Sequence, residues 1–178
     1  MTVRMKKGVY SLIRILALIL PLFVYSVSLP AEDWPQFRGT GGTGVSASKN
    51  LPTHFGPEKN VIWQTALPPG HSSPVLVGNS IFLTAFEGEK LLTFRLDRLS
   101  GKILWRREAP RDRTEPRQQT NTPASPTPVT DGKRVYVFFG DFGLLAYDLD
   151  GTEAWRLPMG PFNNVNGHGS SPILAGNN

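Results

Sequence analysis

Asp97-Arg98-Leu99-Ser100-Gly101-Lys102-Ile103-Leu104-Trp105 decides the fold, because a shortened copy of it returns as Asp148-Leu149-Asp150-Gly151-Thr152-Glu153-Ala154-Trp155. In both copies the Trp stands four residues after the Gly, and an apolar run leads in: Leu91 to Asp97 in one, Leu144 to Asp148 in the other. Gly supplies the positive φ that a tight turn needs, and Asp accepts hydrogen bonds from nearby backbone amides. A third tryptophan, Trp63, lies in Val61-Ile62-Trp63-Gln64-Thr65-Ala66-Leu67, so the three recur 42 and 50 residues apart. Self-similarity at a period of roughly 40 to 50 residues, in β-rich units, is the signature of propeller blades. A Trp repeated once per blade stacks on the neighbouring blade. Burying about 200 Å² at about 25 cal/mol/Å² stabilises by several kcal/mol before entropy. Trp63, Trp105, Trp155, Asp97, Gly101, Asp148 and Gly151 are therefore expected to be the blade-docking residues. A ligand-stacking Trp would be one special residue, not one in every unit.

Each unit reads as four short strands. The first spans Ser73 to Val77, Ser80 to Phe86, Lys90 to Asp97 and Lys102 to Glu108, with turns at Gly78-Asn79, Gly88-Glu89 and Ser100-Gly101. The second opens at Thr127-Pro128-Val129, then continues over Arg134 to Phe139, Leu144 to Asp148 and Thr152 to Leu157. Ser171-Pro172-Ile173 repeats the opening a third time. Pro is tolerated at a strand start, where no amide donor is needed. The fold class expected is all-β, a partial β-propeller of four-stranded antiparallel blades, with about two and a half blades. In this reading 32–59 is a loop-rich segment and 60–178 an incomplete propeller. The propeller comprises an orphan closing strand at 60–67, blades at 73–108 and 127–158, and the start of a third at 170–178. Two incomplete sheet edges leave apolar residues and backbone groups unpaired, so the expectation is a fragment of a longer ring.

The 18 Gly and 16 Pro agree with many turns and little helix. A formal charge of +5 comes mostly from Arg4, Lys6, Lys7 and Arg14; from Glu32 onward, 15 basic residues face 14 acidic ones. Such a balance offers no phosphate-seeking surface and points away from nucleic acid. The basic start precedes an apolar run thirteen residues long, Ile15 to Val27. That run is short for a hydrocarbon core needing about 20 residues and fits a secretory signal peptide over 1–31, cleaved after Ser28 or Ala31. Membrane attachment would come only through an uncleaved signal. With no Cys, disulfides, thiol chemistry and thiolate metal sites are excluded. A periplasmic or secreted bacterial protein is the expectation.

Gly39-Thr40-Gly41-Gly42-Thr43-Gly44 spells a dinucleotide fingerprint, but no strand precedes it and no helix follows, so a surface loop anchored by Trp34 and Phe37 is expected. Asp141-Phe142-Gly143 matches a kinase magnesium motif without its companions and reads as a turn.

The stretch Asp97 to Trp105 resembles the tryptophan-docking motif of quinoprotein-type propellers, the repeats named for pyrroloquinoline quinone (PQQ). It departs at the leading Ala, here Arg95; the second copy keeps Ala146, Asp148, Gly151 and Trp155. Trp34 to Gly39, Gly70 to Pro74, Ala124 to Gly132 and Gly167 to Pro172 are similar to exported bacterial PQQ-like repeat proteins. The resemblance covers almost all of residues 33–178. It implies the fold more strongly than an activity, because the family mixes quinone dehydrogenases with cofactor-free scaffolds such as the propeller subunit of outer-membrane assembly. An exported non-catalytic scaffold for a protein or envelope partner is the leading expectation. The alternative that the resemblance implies is a dehydrogenase of alcohols or sugars, with PQQ and calcium in the axial funnel and a carboxylate base.

Loops after the second and fourth strands fall on one face of the ring. His71, Arg117, Asp141 and His168 are its candidate ligand-facing residues, with Asn163, Asn164 and Asn166 beside them. The charged loop from Ala109 to Ser125 is expected to be solvated with compensating charges. His71 and His168 recur at nearly equivalent blade starts, which favours a structural hydrogen bond over a catalytic base. Two His without a third ligand are weak evidence for a metal.

Overall fold

A strand lasts as long as its ladder partner does, and the alternation of apolar residues in this chain supplies two complete sets of partners. The computed structural model describes residues 32–175, so the signal-peptide reading lies outside the described residues. Eight strands form two four-stranded antiparallel sheets. β1 (Val75–Val77), β2 (Ser80–Glu87), β3 (Lys90–Asp97) and β4 (Ile103–Ala109) make blade A in sequence order. β5 (Val129–Thr130), β6 (Arg134–Phe139), β7 (Gly143–Asp148) and β8 (Glu153–Pro158) make blade B in the same order. A register irregularity recurs at the same place in both, between Arg95 and Leu96 and between Ala146 and Tyr147. The all-β partial propeller is therefore present, with both complete blades formed.

One apolar core joins the blades. Val75, Phe82, Leu91 and Trp105 of blade A pack with Val135, Val137, Phe139, Leu145 and Tyr147 of blade B in one buried cluster. Trp105 sits between Phe82 and Tyr147, at ring-centroid distances of 5.8 and 5.9 Å. Its indole N–H crosses to blade B and donates to the carbonyl of Leu149, at 2.9 Å. Gly151 lies beneath the indole, where a Cβ would come within 3.0 Å of the ring at a φ of +88°.

Trp63 repeats this contact on blade A. It donates to the carbonyl of Arg98 at 3.0 Å and covers Gly101, where a side chain would overlap its ring. The residue two beyond each Trp adds a second bond: Thr65 Oγ1 donates to the Gly101 carbonyl, and Arg107 Nε to the Gly151 carbonyl, both at 2.6 Å. Arg95, the departure from the family pattern, has a use: it donates to the same Leu149 carbonyl as Trp105, at 2.6 Å. Asp97 and Asp148 shape the turns. Asp97 Oδ1 accepts from the Ser100 amide and hydroxyl, and the Asp148 carbonyl accepts from the Gly151 amide. Trp155 is 39% exposed and leans on Tyr136 at 6.0 Å.

A second repeat couples the blades at their inner strands. The Ser73 amide donates to Thr127 Oγ1, and the Thr127 amide donates to Ser171 Oγ, both at 2.9 Å. Each hydroxyl just before a strand-opening Pro thus accepts the equivalent amide of the preceding unit. Thr127 is buried, so replacing it by Val strands the Ser73 amide. The expected loss is about 1–3 kcal/mol in urea unfolding, with Thr127→Ser close to wild type.

Three expectations need correction. Residues 60–67 form no strand: none of the described strands pairs with them, and Trp63 and Thr65 hold the segment through side chains instead. Residues 171–175 likewise form no strand, although Ser171 already occupies its repeat position; residues 176–178 lie outside the described residues. Phe37 is half exposed and is not a buried anchor, whereas Trp34 packs over Gly39. The glycine run holds a single 3-10 turn, Thr40–Gly42. Trp34 pairs through its backbone with Leu76 of β1, and the Pro35 carbonyl accepts from Thr130 of β5. The segment before the glycines therefore ties the inner strands of both blades together.

Candidate functional site

Antiparallel alternation puts the β2–β3 and β6–β7 turns on one face, together with the chain that follows β4 and β8. Four segments meet there. The loop after β4 carries Arg111, Arg113, Glu115 and Arg117; the β6–β7 turn carries Gly140 and Asp141; the chain after β8 carries Met159, Phe162 and His168; and the β2–β3 turn contributes Glu89.

Asp141 is the hub, 1% exposed. Arg111 Nε and Arg117 each donate to Oδ2 at 2.8 Å, and the Glu115 amide donates to Oδ1 at 3.1 Å. Arg111 also pairs with Glu89 and lies over the Phe86 ring at 5.2 Å. Glu115, 4% exposed, accepts from Arg113 Nε at 2.6 Å and from the amides of Phe162 and Asn163 at 3.1 and 3.3 Å. Arg113 continues to the carbonyls of Gly140 and Met159. The loop leaving blade A is thereby locked onto the loops of blade B.

This overturns the expectation of a solvated loop. A buried carboxylate is tolerated when charge partners and amides satisfy its oxygens, and here three arginines and three amides do so. Burial works to raise the Glu115 pKa, but the hydrogen bond from Arg113, the two amides and the charge of Arg113 outweigh it and hold the group below its ordinary value of 4.5. Because the folded value is the lower one, the unfolded chain takes up the proton first as pH falls. The stability from Glu115 is present above about pH 4.5 and is lost as pH drops through the folded value. The gap in unfolding free energy between wild type and Glu115→Gln is expected to narrow over that acid range, as measured by urea titrations at stepped pH.

His168 packs edge-on against Phe162 and Phe138, at 4.5 and 5.8 Å. Its Nε2 is buried with no hydrogen-bond partner, contrary to the structural hydrogen bond expected of it. Gly140 makes room for the ring: a Cβ there would stand 2.8 Å from His168 Cδ2. Arg117, Asp141 and His168 line one small cavity with Glu115, Thr122 and Gly140. His71 is exposed and does not line it; its amide donates to the Ala124 carbonyl at 3.1 Å, next to the same loop. Asn166 meets the loop through Gln118 and Asn121, and Asn163 through its amide; Asn164 is exposed. Among the described residues, no group of three or more His, Cys, Asp or Glu is placed to hold a metal ion, and no helix is long and apolar enough to cross a membrane.

The family follows from this frame. A family model described as outer membrane protein assembly factor BamB matches residues 54–178. The chain belongs to the BamB family. This BamB-family chain is also similar to the crystal structure of BamB from Moraxella catarrhalis, with 19% identity and a TM-score of 0.47 over 60% of this chain. It spans about 31% of that relative's length. No curated protein matches the chain.

Glu115 and Thr122 were not singled out by sequence reasoning. The signal for Glu115 was an acid spaced among three arginines, a pattern equally suited to a solvated surface. Thr122 carries no pattern at all.

Proposed function

We propose that this BamB-family chain contributes blades to an exported, non-catalytic scaffold that meets a protein of the cell envelope through its loop face. The observation that carries this reading is the commitment of the face's charges. Both oxygens of Asp141 and both of Glu115 are occupied by arginines and backbone amides. Neither is free to serve as a general base, which needs an open hydrogen bond to the proton it takes. Loops held this rigidly by a scaffold suit recognition, because little ordering entropy remains to be lost on binding. Val165, 68% exposed, sits among exposed asparagines on the rim and offers an apolar contact within a polar surround. Family membership supports the same role, since the matched description names a protein of outer-membrane protein assembly. A periplasmic location and a longer ring belong to this proposal.

The competing quinone reading is tested directly. The full-length protein, supplied with PQQ and calcium, is expected to oxidise neither alcohols nor sugars and to keep its melting temperature. Turnover that depends on PQQ would replace the scaffold by a dehydrogenase.

A further inference from the structure

We propose that the cavity beneath the loop face is a binding site for one ordered water molecule, held by His168 and Thr122. His168 and Thr122 both line this cavity, and each carries a buried polar atom, Nε2 and Oγ1, with no hydrogen-bond partner. They come from different segments, Thr122 from the loop after β4 and His168 from the chain after β8. An unsatisfied buried polar atom destabilises the fold, so two in the lining of one cavity call for a common partner. The cavity has about 10 Å³ of room for a water's centre, the space of a single molecule.

The ring of His168 and the backbone of Thr122 are both held at the cavity wall. The His168 ring is clamped by Phe162, Phe138 and the bare backbone of Gly140. Thr122 is fixed through its backbone, whose amide and carbonyl both pair with the Ser125 hydroxyl, at 3.3 and 2.9 Å. Water suits the pair chemically. It donates to an imidazole nitrogen lacking a proton or accepts from one carrying it, and it exchanges a second bond with a hydroxyl that serves in either sense. A larger ligand does not fit. A lone ion is disfavoured because the lining charges of Arg117, Glu115 and Asp141 are already paired with one another or with Arg111 and Arg113. The water would link the arginine loop to the segment that carries the rim, adding a neutral bridge beside the ionic one.

The test is a high-resolution crystal structure of the full-length protein, paired with ¹⁷O magnetic relaxation dispersion in solution. Wild type is expected to show density within hydrogen-bonding distance of both atoms, and one more long-lived water than Thr122→Val. Thr122→Ser keeps the hydroxyl and should retain it. A dry cavity overturns the proposal, as does a His168 ring turned so that carbon faces the cavity. An unchanged count of long-lived waters in a folded Thr122→Val also overturns it. If Thr122→Val does not fold, the wild-type density alone decides.

Discussion

Replacing Trp105 by Ala is expected to cost about 3–5 kcal/mol of unfolding free energy, the range for truncating a buried aromatic. Trp105 is 8% exposed and loses three things at once: contact with Phe82 and Tyr147, the bond to the Leu149 carbonyl, and cover over Gly151. Arg95 still reaches the same carbonyl, so that acceptor is not orphaned and the loss is chiefly one of packing. Trp105→Phe should recover part of the loss, since it restores apolar area without the indole N–H. Trp155→Ala is the internal control. The same residue type in the same repeat position, but 39% exposed, should cost well under half as much. Urea unfolding followed by far-ultraviolet circular dichroism measures all three. Equal losses at Trp105 and Trp155 would mean that repetition in sequence, and not the docked contact, sets the energy.

The second large effect is expected at Asp141. Asp141→Ala removes the one carboxylate shared by Arg111 and Arg117, which are 10% and 17% exposed, and leaves the Glu115 amide without its acceptor. Breaking a buried pair from one side costs about 3–5 kcal/mol, because the remaining charge stays desolvated. Arg111 keeps Glu89 as a partner, which places the expected value toward the lower end. Arg117→Ala alone should cost less, and the double variant should fall short of the sum by about 0.5–3 kcal/mol. The readouts are unfolding free energy and the rate of proteolysis between Arg111 and Arg117, which should rise as the loop detaches. An additive double variant would mean that the pair makes no energetic contact.

These two sites mark how far the residues alone could be read. The turn Asp97 to Gly101 and its copy were legible because their chemistry is local. Positive φ at Gly101 and Gly151 and the Asp-to-amide bonds need no knowledge of the rest of the chain. Strand limits followed from the same turns, and the ends of β2, β3 and β6 lie within a residue of expectation. Trp63 and Trp105 cover the next turn's glycine, whereas Trp155, expected to dock in the same way, stays 39% exposed. That Thr65 and Arg107, two residues beyond their tryptophans, reach the next turn's carbonyl is a matter of crossing geometry. Residues 60–67 misled because a strand's apolar pattern persists even where no neighbour supplies a ladder.

The loop face was the least legible region. Its candidates Arg117, Asp141 and His168 converge, but the charge pattern from Arg111 to Arg117 cannot tell solvated compensation from buried pairing. Burial is decided by whether Asp141 and the amides of Phe162 and Asn163, 24 or more residues away along the chain, arrive to satisfy it. Ser73, Thr127 and Ser171 were legible as equivalent positions, whereas the hydroxyl-to-amide chain linking one blade to the next required their spatial order.

The most direct test of the scaffold reading is site-specific photo-crosslinking of the full-length protein in its own cells, from two positions. One probe replaces Val165 on the loop face; the other replaces Asn79 on the opposite turn face. The account predicts a discrete adduct with an envelope protein from Val165 and none from Asn79. An adduct from Asn79 alone would place the partner on the wrong face, and no adduct from either position would contradict the scaffold role itself.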